Sequence, residues 1–123
     1  LSRDGTPLIK IPDIRKKIIY LYADVQKAKV LQRKVLSVAI QDEVPQTEAA
    51  VFKLFSTKLH QKLANEAMDI LGREGLFRKE YQNSHANGKW EWSYRSTLVD
   101  TIGAGTTEIQ KNTIAKKSLN LPL

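Results

Sequence analysis

Between Pro12 and Asp42, apolar residues recur at steps of three and four: Ile14, Ile18, Leu21, Val25, Ala28, Leu31, Val35 and Ala39. That spacing follows the turn of an α-helix and lines one of its faces. Pro12 and Asp13 suit a first helical turn, where the missing proline N–H costs nothing and a carboxylate meets the positive end of the helix dipole. Pro45 disfavours helical geometry in the residue before it, so this helix should stop near Asp42. A long helix with one apolar stripe has to bury that stripe against another element, which makes helix-on-helix packing the first expectation.

The partner helix is signalled from Pro45 through Glu48 and carries the same period in Phe52, Phe55, Leu59, Leu63, Ala67 and Ile70, with Gly72 as its C-cap. Phe55 is expected in the core, where Phe55→Ala should cost about 3 to 5 kcal/mol. Residues 73 to 90, with Gly75, Asn83, Ser84, Asn87 and Gly88, read as a loop with room for one helical turn. A third helix fits Trp92 to Ile102, Gly103-Ala104-Gly105 interrupts it, and a fourth fits Thr107 to about Leu119. Residues 1 to 10, with Gly5 and Pro7, read as an extended lead-in. No segment alternates with period two and no internal repeat is visible, so the fold class is all-α: an up-down, four-helix-bundle-like domain over residues 1–123.

Apolar residues make up 41% and charged residues 27% of the 123 residues, an ordinary globular mix that excludes a disordered chain. No apolar run approaches the ~18 residues of a membrane-spanning helix, so no membrane partner is expected. The absence of cysteine excludes disulfides and thiolate metal sites and fits a reducing compartment. The net charge of +7 permits an anionic partner, but its lysines, Lys53 and Lys62 among them, are scattered among acids and read as solvated helix faces. His60 and His85 have no second ligand at metal spacing, so no metal site is expected. Ser93, Ser96 and Thr97 lack the partners of a hydrolytic triad. Trp90, Trp92 and Tyr94 are expected to fill core space where the loop re-enters the bundle, and no nucleic-acid-binding signature accompanies them.

The most informative stretch is Ile102-Gly103-Ala104-Gly105-Thr106-Thr107-Glu108-Ile109-Gln110, a glycine-flanked turn opening directly into a helix. The free N–H groups and dipole of such a helix start favour an anion, and Gly105 lets an oxygen approach the backbone closely. The same residues also serve as an ordinary N-cap, with Thr106 or Thr107 capping and Glu108 in the first turn.

Taken together, Tyr94-Arg95, the run from Thr101 to Ala115 and Leu119-Asn120-Leu121-Pro122 resemble the closing segment of acyl-CoA dehydrogenases. Ala49 to Lys62, followed by Ala64-Asn65-Glu66-Ala67-Met68-Asp69-Ile70-Leu71-Gly72, is similar to that family's third-from-last helix, and Pro12-Asp13-Ile14-Arg15 to the start of the helix before it. The resemblance implies an FAD enzyme that oxidises the α,β bond of an acyl-CoA thioester, works as a homo- or hetero-oligomer and passes electrons to an electron-transfer flavoprotein. It implies a location in the cytoplasm, or in the mitochondrial matrix of a eukaryote. It also implies that the chain is a fragment without the front flavin and substrate domains and without the first bundle helix.

Carried over residue by residue, the resemblance assigns Thr106, Thr107 and Glu108 to flavin contacts and Gly105 to the thioester end of the substrate. Asp69, Gly72 and Arg73 fall on the segment that reaches the ADP part of a flavin bound by a neighbouring subunit. The family usually has glutamine where Asp69 stands and a second glycine where Arg73 stands; Asp69 brings negative charge toward a pyrophosphate, which Arg73 can offset. Ser96 replaces a frequent aspartate. Ala104 stands where many members carry the glutamate that removes the α-proton, and alanine accepts no proton. No catalytic residue is therefore assigned in this chain. The Gly103-Ala104-Gly105-Thr106 turn resembles the isovaleryl type, which keeps its glutamate on the preceding helix. The alternatives are a non-catalytic partner subunit and a free-standing helical interaction module.

Overall fold

The computed structural model describes residues 1–82 and 84–122. Four helices carry the fold: α1 over Pro12–Ala39, α2 over Gln46–Leu71, α3 over Lys89–Asp100 and α4 over Thr107–Lys117. The all-α expectation holds. The lead-in is more ordered than the sequence indicates, because Ser2–Arg3 (β1) and Thr6–Pro7 (β2) pair as a minimal antiparallel hairpin. Pro12 occupies the first turn of α1 with Asp13 beside it, as their chemistry requires. That helix ends at Ala39, slightly before the expected Asp42, which has left-handed backbone geometry with φ 58°.

The second helix is the centre of the domain and packs against all three others. The short link from Ile40 to Pro45 turns α2 back antiparallel to α1, so that Asp24 meets Lys62 and Lys17 meets Glu66. On the other flank, α3 and α4 follow one another along α2: His60 lies beside Asp100, Gln61 reaches the Thr97 carbonyl, and Lys53 reaches the turn at Gly103–Gly105. Helix α2 thus lies between α1 on one flank and α3 with the α3–α4 turn on the other.

The enclosed core is small. Ile14 and Leu21 of α1 and Ala50, Leu59 and Ala64 of α2 are its buried apolar residues. Phe55, expected there, is only half-buried. Trp92 and Tyr94 also depart from expectation, being 63% and 49% exposed, while Trp90 is half-buried beneath the Lys89 ammonium at 5.8 Å from the ring centroid. With only α2 flanked on both sides, apolar side chains on the outer faces of α1 and α3, such as Ile19, Val30, Leu98 and Val99, remain open to solvent.

The 73–90 connection contains two short 3-10 turns, Gly72–Leu76 and His85–Gly88, where one helical turn was expected; Asn83 lies outside the described residues. His85 ties the two together through Glu74 at 2.6 Å. Gly88, with φ 68°, starts α3 three residues before the expected Trp92.

Candidate functional site

The turn between α3 and α4 is built from both ends. At its exit Thr106 has extended backbone and caps α4, its hydroxyl accepting from the Ile109 N–H at 3.3 Å. The Thr107 N–H is taken by the Thr101 carbonyl at 3.2 Å and the Gln110 N–H by the Thr106 carbonyl at 3.0 Å. The Glu108 carboxyl is held below its ordinary range, chiefly by its own backbone N–H and then by the Thr106 hydroxyl. The first helical amides are therefore largely satisfied within the chain. The free donors lie one step earlier: the Ala104, Gly105 and Thr106 N–H groups have no protein acceptor among the described residues. Ala104 and Gly105 both take positive φ, 53° and 94°.

At its entrance the turn is held by Lys53, one of the scattered lysines whose pattern in the sequence is that of a solvated helix face. The Lys53 ammonium donates to three successive carbonyls, those of Gly103, Ala104 at 2.7 Å and Gly105 at 2.6 Å. The available signal was phase: Lys53 follows Ala50 by one helical turn, on the flank of α2 that meets the turn. The Gln110 amide adds a longer bond to the Ala104 carbonyl at 3.4 Å. A groove of about 370 Å³ runs beside the turn, lined by Ser56, His60, Asp100, Gly103 and Ala104 among others. His60 Nδ1 lies 3.3 Å from Asp100 Oδ2 there, a titratable pair that the sequence did not announce because the two residues are forty positions apart.

The other assigned residues lie elsewhere. Asp69 sits near the end of α2, and Gly72 caps it, its N–H donating to the Met68 carbonyl. The sixteen residues from Lys53 to Asp69 span roughly 24 Å of helix axis, so Asp69, Gly72 and Arg73 form a cluster separate from Gly105, Thr106, Thr107 and Glu108. The cation beside Asp69 is Lys17 of α1, at 3.6 Å, and not Arg73, whose side chain has no ionic partner among the described residues. Lys17 binds more closely to the enclosed Glu66 Oε2 at 2.6 Å, and that bond raises its pKa above the ordinary lysine value.

Among the described residues, no three histidine, cysteine or carboxylate side chains gather as a metal site, and no helix is long and apolar enough to cross a membrane.

Residues 2–119 match the family described as "Acyl-CoA dehydrogenase, C-terminal domain". Among curated proteins, the acyl-CoA dehydrogenase IpdE1 of Mycobacterium tuberculosis is 36% identical over 72 residues, 58% of this chain and 18% of that protein. The acyl-CoA dehydrogenase FadE26 of the same organism is 26% identical over 121 residues, 96% of this chain and 30% of that protein. Among solved structures, the steroid ACAD Tcur3481-Tcur3483 superposes with a TM-score of 0.88 at 25% identity, covering 94% of this chain and 30% of that one. This chain thus spans less than a third of the length of these relatives.

Proposed function

The chain belongs to the acyl-CoA dehydrogenase family, as its C-terminal domain, and we propose that it completes the flavin and thioester site of a longer FAD-dependent enzyme oxidising the α,β bond of an acyl-CoA. The observation that carries this reading is the α3–α4 turn, where three consecutive amides without protein acceptors meet the capped start of a helix. Gly105 would receive the thioester oxygen, and Thr106, Thr107 and Glu108 would contact the flavin. Bound FAD would supply the hydride acceptor. The residues fit such a group: the three amides are donors without a protein acceptor among the described residues, and the Glu108 carboxylate is engaged by its own backbone N–H and the Thr106 hydroxyl.

The second cluster, Asp69, Gly72 and Arg73, would face the ADP half of a flavin held by a neighbouring subunit. Its distance from the turn along α2 supports this division, as does Lys17, which sits beside Asp69 and offsets its charge near a pyrophosphate. Oligomerisation would then be part of the active site, consistent with the apolar side chains left exposed on α1 and α3. Electrons would leave to an electron-transfer flavoprotein, in the cytoplasm or the mitochondrial matrix.

Since Ala104 accepts no proton, the α-proton would go to a carboxylate on a helix preceding this chain. Ala104 also suits a second reading, a non-catalytic subunit in a heteromeric enzyme, although the Gly103-Ala104-Gly105-Thr106 turn favours the displaced carboxylate. Purifying the gene product from its source and recording its mass and visible spectrum tests the proposal. The expected product is roughly three times this length, as the 30% coverage of FadE26 implies, carries FAD and is bleached by an acyl-CoA without oxygen. A flavin that no acyl-CoA bleaches would favour the partner subunit. A colourless product of this length would leave a helical interaction module.

A further inference from the structure

We infer that Lys53 is the positioning residue of the α3–α4 turn, aiming its amides at the flavin and thioester; this rests on the functional reading above. An ammonium has three donors, and Lys53 directs them at three consecutive carbonyls, Gly103, Ala104 and Gly105. In a trans peptide the carbonyl of one residue and the N–H of the next point in opposite directions. Drawing the carbonyls of residues 103, 104 and 105 onto one cation therefore turns the N–H groups of Ala104, Gly105 and Thr106 the other way. Those are the amides that have no protein acceptor among the described residues.

This arrangement needs an ammonium in particular. Positive φ at Ala104 and Gly105 is what allows consecutive carbonyls to converge, and an alanine held at φ 53° opposes that geometry. Without the cation, three carbonyl dipoles would crowd together unpaired and the turn would relax. A planar guanidinium fork matches a carboxylate better than three oxygens around a point, so arginine should hold the turn less well. Lys53 is also anchored on α2, the helix that all the others pack against, so the position of the turn is referred to the most constrained element of the domain.

The test uses the full-length, flavin-loaded protein with Lys53→Met and Lys53→Arg, an acyl-CoA substrate, and four readouts: thermal midpoint, flavin absorption spectrum, kcat and KM. Lys53→Met is expected to fold, to shift the flavin band and to lose kcat by about 10- to 100-fold, the scale of a small misplacement at a reacting centre. Lys53→Arg should recover part of the loss. A Lys53→Met protein with wild-type kcat, KM and flavin spectrum overturns the inference, and so does one that loses thermal stability alone. Should Lys53→Met fail to fold, Lys53→Arg decides: a several-fold lower kcat at an unchanged thermal midpoint supports the positioning role, and wild-type kcat overturns it. A colourless wild-type protein would overturn the flavin reading and this inference with it, whereas a flavin-loaded wild type with an indifferent Lys53→Met overturns the inference alone.

Discussion

Asp24 on α1 and Lys62 on α2 meet at 2.8 Å across the helix pair, and Lys27 reaches the other oxygen of the same carboxylate at the same distance. Hydrogen bonds from Lys27 first and Lys62 second hold the Asp24 pKa down to about 2. A carboxyl whose folded pKa lies below its unfolded value of 3.8 stabilises the fold above that value, and the contribution disappears as pH falls toward 2. Asp24→Asn is therefore expected to lower the thermal midpoint at neutral pH, with the difference from wild type closing between pH 4 and 2. Thermal melts followed by circular dichroism across that range check it. A gap that persists unchanged at pH 2 would mean that packing and not charge is responsible, and added salt should narrow the gap at neutral pH.

Gly88 is the residue in the 73–90 connection least tolerant of change. Its φ of 68° strains any L side chain, and an added Cβ would stand 2.4 Å from the Lys79 backbone nitrogen and 2.7 Å from the Arg78 carbonyl carbon. Backbone cannot swing aside as a side-chain end can. Gly88→Ala should cost about 2 kcal/mol or more, combining left-handed strain with displacement of residues 78 and 79. The midpoint of urea unfolding measures it, and a loss under ~0.5 kcal/mol would mean that the connection rearranges freely.

Core substitutions should follow the observed burial rather than the apolar period. Ala50 is 2% exposed, so Ala50→Leu should destabilise by about 1 to 3 kcal/mol through overpacking. Phe55 is half-buried, so Phe55→Ala should cost less than the ~3 kcal/mol lower bound for an enclosed phenylalanine. Equilibrium unfolding of both variants, in the same assembly state, tests the order. A larger loss for Phe55→Ala than for a buried leucine such as Leu59→Ala would place Phe55 against a partner surface.

The helices were legible because their signals are local: the period of Ile14 to Ala39, Pro12 and Pro45 at the starts, and Gly72 at an end. The bundle followed from the need to bury those faces. The enclosed residues were less legible, since periodicity identifies a face but not how much of it is covered. On α2, Ala50 and Ala64 bury completely while Phe52 and Phe55 do not, because two neighbours approach from different flanks. The turn at Gly103–Gly105 was readable as a special backbone from its composition. Its clamp was not, because Lys53 stands fifty residues away and a lone lysine between Phe52 and Leu54 looks like any other solvated charge. The pairing of His60 with Asp100 is hidden in the sequence for the same reason.

Thr106 links the stability of α4 to the ionisation of Glu108. Its hydroxyl oxygen accepts from the Ile109 N–H at 3.3 Å, while its hydroxyl hydrogen helps hold the Glu108 carboxylate in its charged form. Thr106→Val keeps the shape and removes both interactions, so it should cost about 1 kcal/mol, the usual worth of an N-cap. Thr106→Ser should restore most of that. The Glu108 pKa should rise in Thr106→Val but remain below its ordinary value, because the largest cause of its depression, its own backbone N–H, is untouched. Stability from a depressed carboxyl is present above its unfolded pKa and lost as pH falls through the folded one, so the valine variant should also lose less stability on acidification. Carboxyl carbon shifts of Glu108 followed by NMR, together with melts at neutral and acid pH, test both halves. An unchanged Glu108 titration with lost stability would separate the cap from the carboxylate and remove Thr106 as the link between them.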